Sequence, residues 1–463
     1  MLQRSDIQSL FFLGIGGIGM SALARYFHAR GYRVYGYDRT PSPLTEQLEK
    51  EGLSIFFEDD PARIDKIDIS PLRTLVVRTP AVPEDSKVYT FLREQGYDIR
   101  KRSEVLGIVT EKLKALCVAG THGKTTTSTI LAHLLYQSEI GTNAFLGGVS
   151  NNYGTNLLLR DSSYVVVEAD EYDRSFHHLK PYMSVITSVD PDHLDIYGTP
   201  EAYREAFSQY TSLITGALVV KKDLPFELRL KKGAKCYTYA VGDDEADFYA
   251  DNIRVKDAKI YFDFHTPTET LSDLRLGVPV WVNIENSVAA MAVAWLNGVS
   301  SHELRSGLSS FSGVARRFNV HVHSARVAYI DDYAHHPQEL LASVESIRRL
   351  FPDRFSLVVF QPHLYTRTRD FIDEFAHVLS RADEVVLLPI YPARELPIPG
   401  VTSEALLEKL TSPRKSLVEK PELVETIVKR IKEIDRPVAV MTLGAGDIDR
   451  LVPAMKKALA AIK

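Results

Sequence analysis

The chain has 463 residues, 45% of them hydrophobic and 25% charged, with a net charge of −5. At roughly 150 residues per domain this length predicts about three domains, and the composition excludes collagen-like, disulfide-scaffold and largely disordered classes. The negative balance excludes a strongly basic nucleic-acid platform, so nucleic acid is not an expected partner.

Cys117 and Cys236 are too few for a disulfide framework and lack metal-ligand spacing, which points to a reducing compartment. The start, Met1 to Leu10, carries Arg4 and Asp6 and lacks the apolar core of a signal peptide. The longest apolar stretch, Leu10 to Ala24, is rich in glycine and falls short of the ~20 residues a bilayer span needs. No membrane insertion and a cytoplasmic location are therefore expected.

Apolar strand-like runs recur along the chain, each followed by a Gly- or Asp-rich turn and an amphipathic stretch: Leu10–Leu13, Thr74–Val77, Leu116–Ala119, Tyr164–Val167, Val185–Val189, Val327–Ile330, Leu357–Phe360, Val385–Leu388 and Val438–Met441. This rhythm predicts an α/β fold with mainly parallel sheets, which bind ligands beyond the C-terminal ends of their strands. Breaks fall near residues 103–112 and Ser312–Gly313. The charged, β-like stretch Lys221–Leu276 reads as an elaboration within the middle domain.

The first loop of interest is Gly14-Ile15-Gly16-Gly17-Ile18-Gly19-Met20, followed by a helix predicted from Ser21 to Ala29 and a strand, Arg33 to Tyr37, ending in Asp38. Gly14, Gly16 and Gly19 fit G-x-G-x-x-G, with Asp38 near the place of a ribose-binding acid. A dinucleotide, another nucleotide diphosphate and a structural turn all remain compatible with it.

The second is Gly120-Thr121-His122-Gly123-Lys124-Thr125-Thr126, after the run Leu116–Ala119. Gly-Lys-Thr at a strand-to-helix turn is a phosphate loop. Backbone N–H groups cradle phosphates, Lys124 takes the terminal ones, and the Thr125 hydroxyl reaches magnesium. With glycine at 120 and valine at 118, the loop is shorter than the usual spacing. A Thr-rich helix cap is the structural alternative. His122 reads as a loop residue rather than a catalyst.

Two acidic clusters follow: Glu168-Ala169-Asp170-Glu171-Tyr172-Asp173 and Asp190-Pro191-Asp192-His193-Leu194-Asp195. Carboxylates at strand ends beside a phosphate loop supply hard oxygen ligands for Mg²⁺, and Glu168 and His193 are the best-placed candidates. In the last third, Arg316-Arg317-Phe318 precedes Asp331-Asp332-Tyr333-Ala334-His335-His336-Pro337. Then come Gln361-Pro362-His363-Leu364-Tyr365-Thr366-Arg367-Thr368-Arg369-Asp370 and Gly444-Ala445-Gly446-Asp447. The vicinal histidines lack the i, i+4 spacing of a helical zinc site and suit hydrogen bonding better. The arginines suit carboxylate or phosphate clamps.

Taken together and in this order, these motifs resemble the Mur ligase family from about residue 10 to 450. The resemblance implies three domains: a Rossmann-like N-terminal domain (1–104) holding UDP-N-acetylmuramate, a P-loop ATPase-type central domain (105–312), and a Rossmann-like C-terminal domain (313–463) that binds the amino acid. It implies ATP and Mg²⁺ as cofactors and L-alanine as the amino acid. The UDP-sugar would lie on Gly14, Ile15, Gly16, Gly17, Ile18, Gly19 and Met20, near Asp38. Lys124, Thr125, Glu168 and His193 would serve the phosphates and magnesium. Asn283, Arg316 and Asp331 would complete the ATP site, and Tyr333, His335 and Arg367, with Arg369 as an alternative, would face alanine.

Three positions depart from the family pattern. Val282 stands where many relatives have His, Leu364 where many have Arg, and Tyr172 where a small residue is common. Three other readings compete: a recycling ligase that adds a preformed tripeptide to the same UDP-sugar, an oxidoreductase using the first glycine loop, and a silent nucleotide-binding scaffold.

Overall fold

The computed structural model describes residues 7–462 apart from Ala258 and Arg394, and leaves the Asp195 side chain undescribed. The stretch Met1–Asp6, read above for a leader, lies outside the described residues, as does the Asp195 carboxylate.

Three sheets carry the fold. The first has five parallel strands in the order Ser54–Phe56, Arg33–Tyr37, Ser9–Leu13, Thr74–Arg78 and Asp98–Lys101. The chain leaves its central strand, Ser9–Leu13, in one direction and returns on the other side with Thr74–Arg78. Such a switch point opens a crevice at the strands' C-terminal ends, where the first glycine loop lies. Leu10, Phe11, Phe12 and Leu13 are fully buried, because a parallel sheet with helices on its faces has no solvent side.

The second sheet runs Thr155–Leu158, Asn143–Ser150, Tyr164–Glu168, Lys114–Ala119, Pro181–Ile186, Ala217–Lys221, Lys235–Val241 and Phe248–Lys256, and continues to Lys259–His265 and Thr270–Arg275. Apart from the antiparallel pair Asn143–Ser150 and Thr155–Leu158, the registered pairs are parallel. The strand expected at Val185–Val189 spans Pro181–Ile186 instead. Just beyond its end, the Thr187 N–H still donates to the Ala119 carbonyl at 3.1 Å and the Thr187 hydroxyl donates to the His122 carbonyl at 2.5 Å. The third sheet runs Asn319–His323, Val327–Asp332, Val438–Leu443, Phe355–Phe360, Glu384–Leu387 and Arg414–Leu417, with only its first pair antiparallel.

Contacts group the chain into two compact units. One comprises residues 1–251, 263–272 and 286–310; the other comprises 252–262, 273–285 and 311–463. The first unit thus holds both the first sheet and most of the second. A shared apolar core joins them, running from Leu10 and Phe12 through Leu23 and Phe27 to Phe145 and Leu157, and a buried polar clamp on the helix Ile18–Ala29 adds to it. Arg25, 8% exposed, pairs with Glu51 at 2.6 Å and donates to the Asn156 side-chain oxygen Oδ1 at 2.5 Å, while the Asn156 side-chain amide donates to the Ile18 backbone carbonyl at 2.6 Å. The strands of the 221–276 stretch extend the second sheet at one edge, while 252–262 and 273–276 group with the second unit.

Candidate active site

The first glycine loop turns from strand to helix at Gly14, whose φ of +83° only glycine adopts without strain; a Cβ there would lie 2.5 Å from Thr79. The Gly16 N–H donates to the Asp38 carboxylate at 2.8 Å, and the Thr40 N–H donates to its other oxygen at 3.2 Å. Asp38, expected as a ribose-binding acid, is thus tied into the loop itself. Gly17 caps the helix Ile18–Ala29 in extended conformation, which leaves the helix's first N–H groups facing out of the loop.

In the second sheet, the phosphate loop follows Lys114–Ala119 and leads into the helix Lys124–Gln137. Its strand lies between Tyr164–Glu168 and Pro181–Ile186. Topology alone therefore brings the two acidic clusters to either side of the loop. Gly120, at φ +134°, passes so close to Thr187 that a Cβ would lie 2.0 Å from its hydroxyl; Gly123, at φ +80°, caps the helix beside Asn286. The Thr127 hydroxyl donates to the same Asn286 at 3.1 Å. The His122 N–H donates to Ser188, and its ring lies 3.7 Å from Asp190, so it belongs to the loop's scaffold.

Lys124 folds over this loop. Its ammonium donates to the carbonyls of Gly120 at 2.7 Å and Thr121 at 3.2 Å and pairs with Glu171 at 2.7 Å. Burial works against its charge, but Glu171, Asp170 and Glu168 together outweigh it and raise the pKa. Glu171 is itself only 2% exposed; burial pushes its carboxyl up to about 7, with Lys124 pulling it back. Tyr197 donates to the Glu171 carbonyl at 2.5 Å, and Tyr203 lies 2.8 Å from the Thr121 hydroxyl.

The Thr125 hydroxyl donates to Glu168 at 3.0 Å. The Glu168 carboxylate occupies space left by Gly147, where a Cβ would lie 2.1 Å from it. Two hard oxygen donors side by side, at the phosphate end of the loop, fit a magnesium that takes its remaining ligands from phosphate and water. Among the described residues no group of three or more His, Cys, Asp or Glu side chains could hold a metal by itself. His193 is placed differently. It sits at φ +53°, 3.7 Å from both Glu171 and Asp192, with Tyr172 packed edge-on against its ring. Tyr172, one of the departures, therefore braces His193.

Within the second unit, Arg316 donates to the Gly444 carbonyl at 2.8 Å and lies over the Tyr333 ring. Asp331 is buried at the end of Val327–Asp332 and accepts from Thr442 at 3.1 Å; burial pushes its carboxyl up to about 6, with Arg316 opposing. His335 packs edge-on against Tyr333 and near His363. Burial lowers its pKa against the pull of Glu339, and the charge of Arg367 lowers it further. Arg369 is more than half exposed and pairs with its neighbour Asp370 at 2.7 Å. Leu364 caps the helix Tyr365–Asp370 at φ +68°, a strained conformation for leucine. Asn283 lies in the first turn of the helix Val282–Leu296 and donates to the Val278 carbonyl at 3.4 Å.

Sequence reasoning missed Glu171 as the partner of Lys124, Asn286 and Gly147. Glu171 stood in a quoted acidic cluster, but nothing in the sequence ranks which of several acids becomes buried. Cys117 is buried and free, with burial pushing its thiol up to about 12, so it is no nucleophile.

The family models match in the order of the sheets. Residues 10–113 match the Mur ligase family catalytic domain, 118–294 the Mur ligase middle domain, and 316–446 the Mur ligase glutamate ligase domain. The chain belongs to the Mur ligase family. It is 55% identical to a UDP-N-acetylmuramate–L-alanine ligase of Porphyromonas gingivalis, over 98% of this chain and 99% of that one. It is also 55% identical to the ligase of that name from Parabacteroides distasonis, over 98% of each. Among solved structures, the UDP-N-acetylmuramate–alanine ligase of Thermotoga maritima superposes with a TM-score of 0.82 at 28% identity, covering 97% of this chain and 98% of that one. A murein peptide ligase of Psychrobacter arcticus shares the fold, with a TM-score of 0.69 at 22% identity over 98% of this chain and 99% of that one. Among the described residues no helix is long and apolar enough to cross a membrane.

Proposed function

We propose that the protein joins L-alanine to the lactyl carboxylate of UDP-N-acetylmuramate at the expense of ATP, releasing ADP and phosphate. The observation that carries this reading is Lys124 and Thr125 on a short phosphate loop with Glu168 hydrogen-bonded to Thr125 from the neighbouring strand, in a chain 55% identical along almost its whole length to ligases named for that reaction. The tripeptide-recycling alternative has only a fold likeness at 22% identity behind it.

The chemistry asks for positioning and charge neutralisation more than for a protein nucleophile. A lactyl carboxylate oxygen attacks the γ-phosphorus of ATP, the bond from that phosphorus to the β–γ bridging oxygen breaks, and ADP leaves. The alanine amine then attacks the acyl phosphate's carbonyl carbon, gives up a proton, and phosphate departs. Lys124 draws charge off the terminal phosphates. Thr125 and Glu168 hold Mg²⁺, which when bound neutralises phosphate charge, and His193 completes that side. Asn283, Arg316 and Asp331 bind the nucleotide. Tyr333, His335 and Arg367 receive the amino acid, Arg367 taking its carboxylate in place of an arginine at 364. The glycine loop Gly14–Met20, stiffened by Asp38, holds the UDP-sugar. On this reading the three domains are those bounded at 104 and 312, and the reaction is cytoplasmic, in keeping with two free cysteines.

The test uses UDP-N-acetylmuramate labelled with ¹⁸O in the lactyl carboxylate. With ATP, Mg²⁺ and L-alanine, the product gains one alanyl residue in mass and the released phosphate carries one ¹⁸O. Phosphate release without label transfer would overturn the acyl-phosphate route.

A further inference from the structure

Arg102 was not among the residues assigned above. It opens the helix Arg102–Glu111, which follows the last strand of the first sheet, Asp98–Lys101. Its guanidinium lies against Gly19, the third glycine of the first loop. A Cβ at Gly19 would meet Nη1 at 2.8 Å, Cδ at 3.2 Å and Cζ at 3.3 Å. Glycine at 19 is thus what lets this cation approach the first turn of the helix Ile18–Ala29. The same guanidinium reaches Asp170 at 3.4 Å, leaving Arg102 21% and Asp170 41% exposed. Asp170 accepts from the Tyr172 N–H at 3.0 Å and acts on the charge of Lys124. Arg102 therefore stands on the glycine loop and faces the phosphate loop, along the line that a ligand anchored on one and reacting at the other must follow.

A long, loosely held ion pair of this kind is a weak contributor to stability. A guanidinium so loosely held beside outward-facing helix N–H groups is well suited to a diphosphate. We propose that Arg102 is the cation that holds the diphosphate of the UDP-sugar over the glycine loop, and that Asp170 is the counter-ion this ligand displaces. The inference rests on the reading of Gly14–Met20 given under Proposed function.

The two partners of the pair are expected to respond with opposite sign. Calorimetry of the full-length protein with UDP and with UMP separates the possibilities. Arg102→Met weakens UDP about tenfold or more, as loss of a charge-assisted hydrogen bond does, and leaves UMP nearly unchanged. Arg102→Lys recovers part of the loss. Asp170→Asn keeps the acceptor for the Tyr172 N–H, removes the competing charge, and binds UDP as tightly as the parent protein or more tightly. In turnover, Arg102→Met raises KM for the UDP-sugar and leaves KM for ATP unchanged. Equal weakening of UDP by Arg102→Met and Asp170→Asn would make the pair a structural brace and overturn the proposal, as would unchanged UDP affinity in Arg102→Met. Failure of the parent protein to bind UDP would instead overturn the underlying reading of the glycine loop, and this proposal with it.

Discussion

Two loops in this molecule share one design and differ in chemistry. Gly14–Gly19 and Gly120–Gly123 each follow a central parallel strand and open a buried helix. In the first, the loop carries no cation. Its glycines make room for groups brought from elsewhere: Asp38 against Gly16 and Arg102 against Gly19. In the second, the cation is built in, and the loop's neighbours are acids, with Glu171 on Lys124 and Glu168 on Thr125. A glycine pattern therefore says that backbone must approach something closely, and the surrounding charges say what. The first loop suits a ligand held in place; the second suits phosphoryl groups whose charge changes during reaction.

The largest expected effect comes from removing the built-in cation. Lys124→Ala lowers kcat by about 10³-fold, in line with loss of a preorganised charge at a reacting phosphate, and leaves UDP-sugar affinity unchanged. Parallel kinetics and UDP calorimetry check this, and a matching loss of UDP binding would erase the division of labour. Gly16→Ala is the counterpart in the first loop. Its Cβ would lie 2.8 Å from Asp38 and 2.9 Å from Thr45, so KM for the UDP-sugar rises by roughly tenfold, the scale of one lost charge-assisted contact, while KM for ATP stays fixed.

Gly147→Ala sharpens the account of Glu168. The added methyl displaces the carboxylate, and the Mg²⁺ concentration for half-maximal rate rises several-fold, on the order of one weakened ligand; an unchanged Mg²⁺ titration would remove Glu168 from the metal. The smallest effect sits at the far end of the phosphate-loop helix. His133 is buried, 2.8 Å from the Tyr153 hydroxyl and 3.0 Å from Ser310, and burial lowers its pKa to about 4. The unfolded chain binds a proton at this residue below about 6.5 and the folded chain does not, so stability is full above that pH and declines as pH falls toward 4. Thermal melts across this window show a drop of a few degrees that His133→Gln, having no such titration, lacks.

Much of this was legible beforehand because parallel strands buried on both faces are continuous apolar runs; Leu116–Ala119 and Val438–Met441 lie wholly inside the strands observed. Strands such as Ser54–Phe56 and Asp98–Lys101 went unread because they are half-exposed and carry polar residues. The phosphate loop was readable because strand, glycine, lysine and helix are contiguous in sequence. The pairing of Lys124 with Glu171, 47 positions on, was not, since only folding selects among neighbouring acids. The hydrogen bonds from the Gly16 and Thr40 N–H groups to Asp38 were not legible either, because spacing locates a side chain and does not say which way it turns. The clamp of Arg25 on Asn156, 131 positions apart, left no local signal at all.

The central claim is most directly tested by phosphate release from ATP and Mg²⁺ in the presence of UDP-N-acetylmuramate, with L-alanine compared against the L-Ala-γ-D-Glu-diaminopimelate tripeptide. Release that depends on L-alanine, with a product heavier by one alanyl residue, is the predicted result. Release only with the tripeptide would contradict it and reassign the amino-acid pocket around His335 and Arg367.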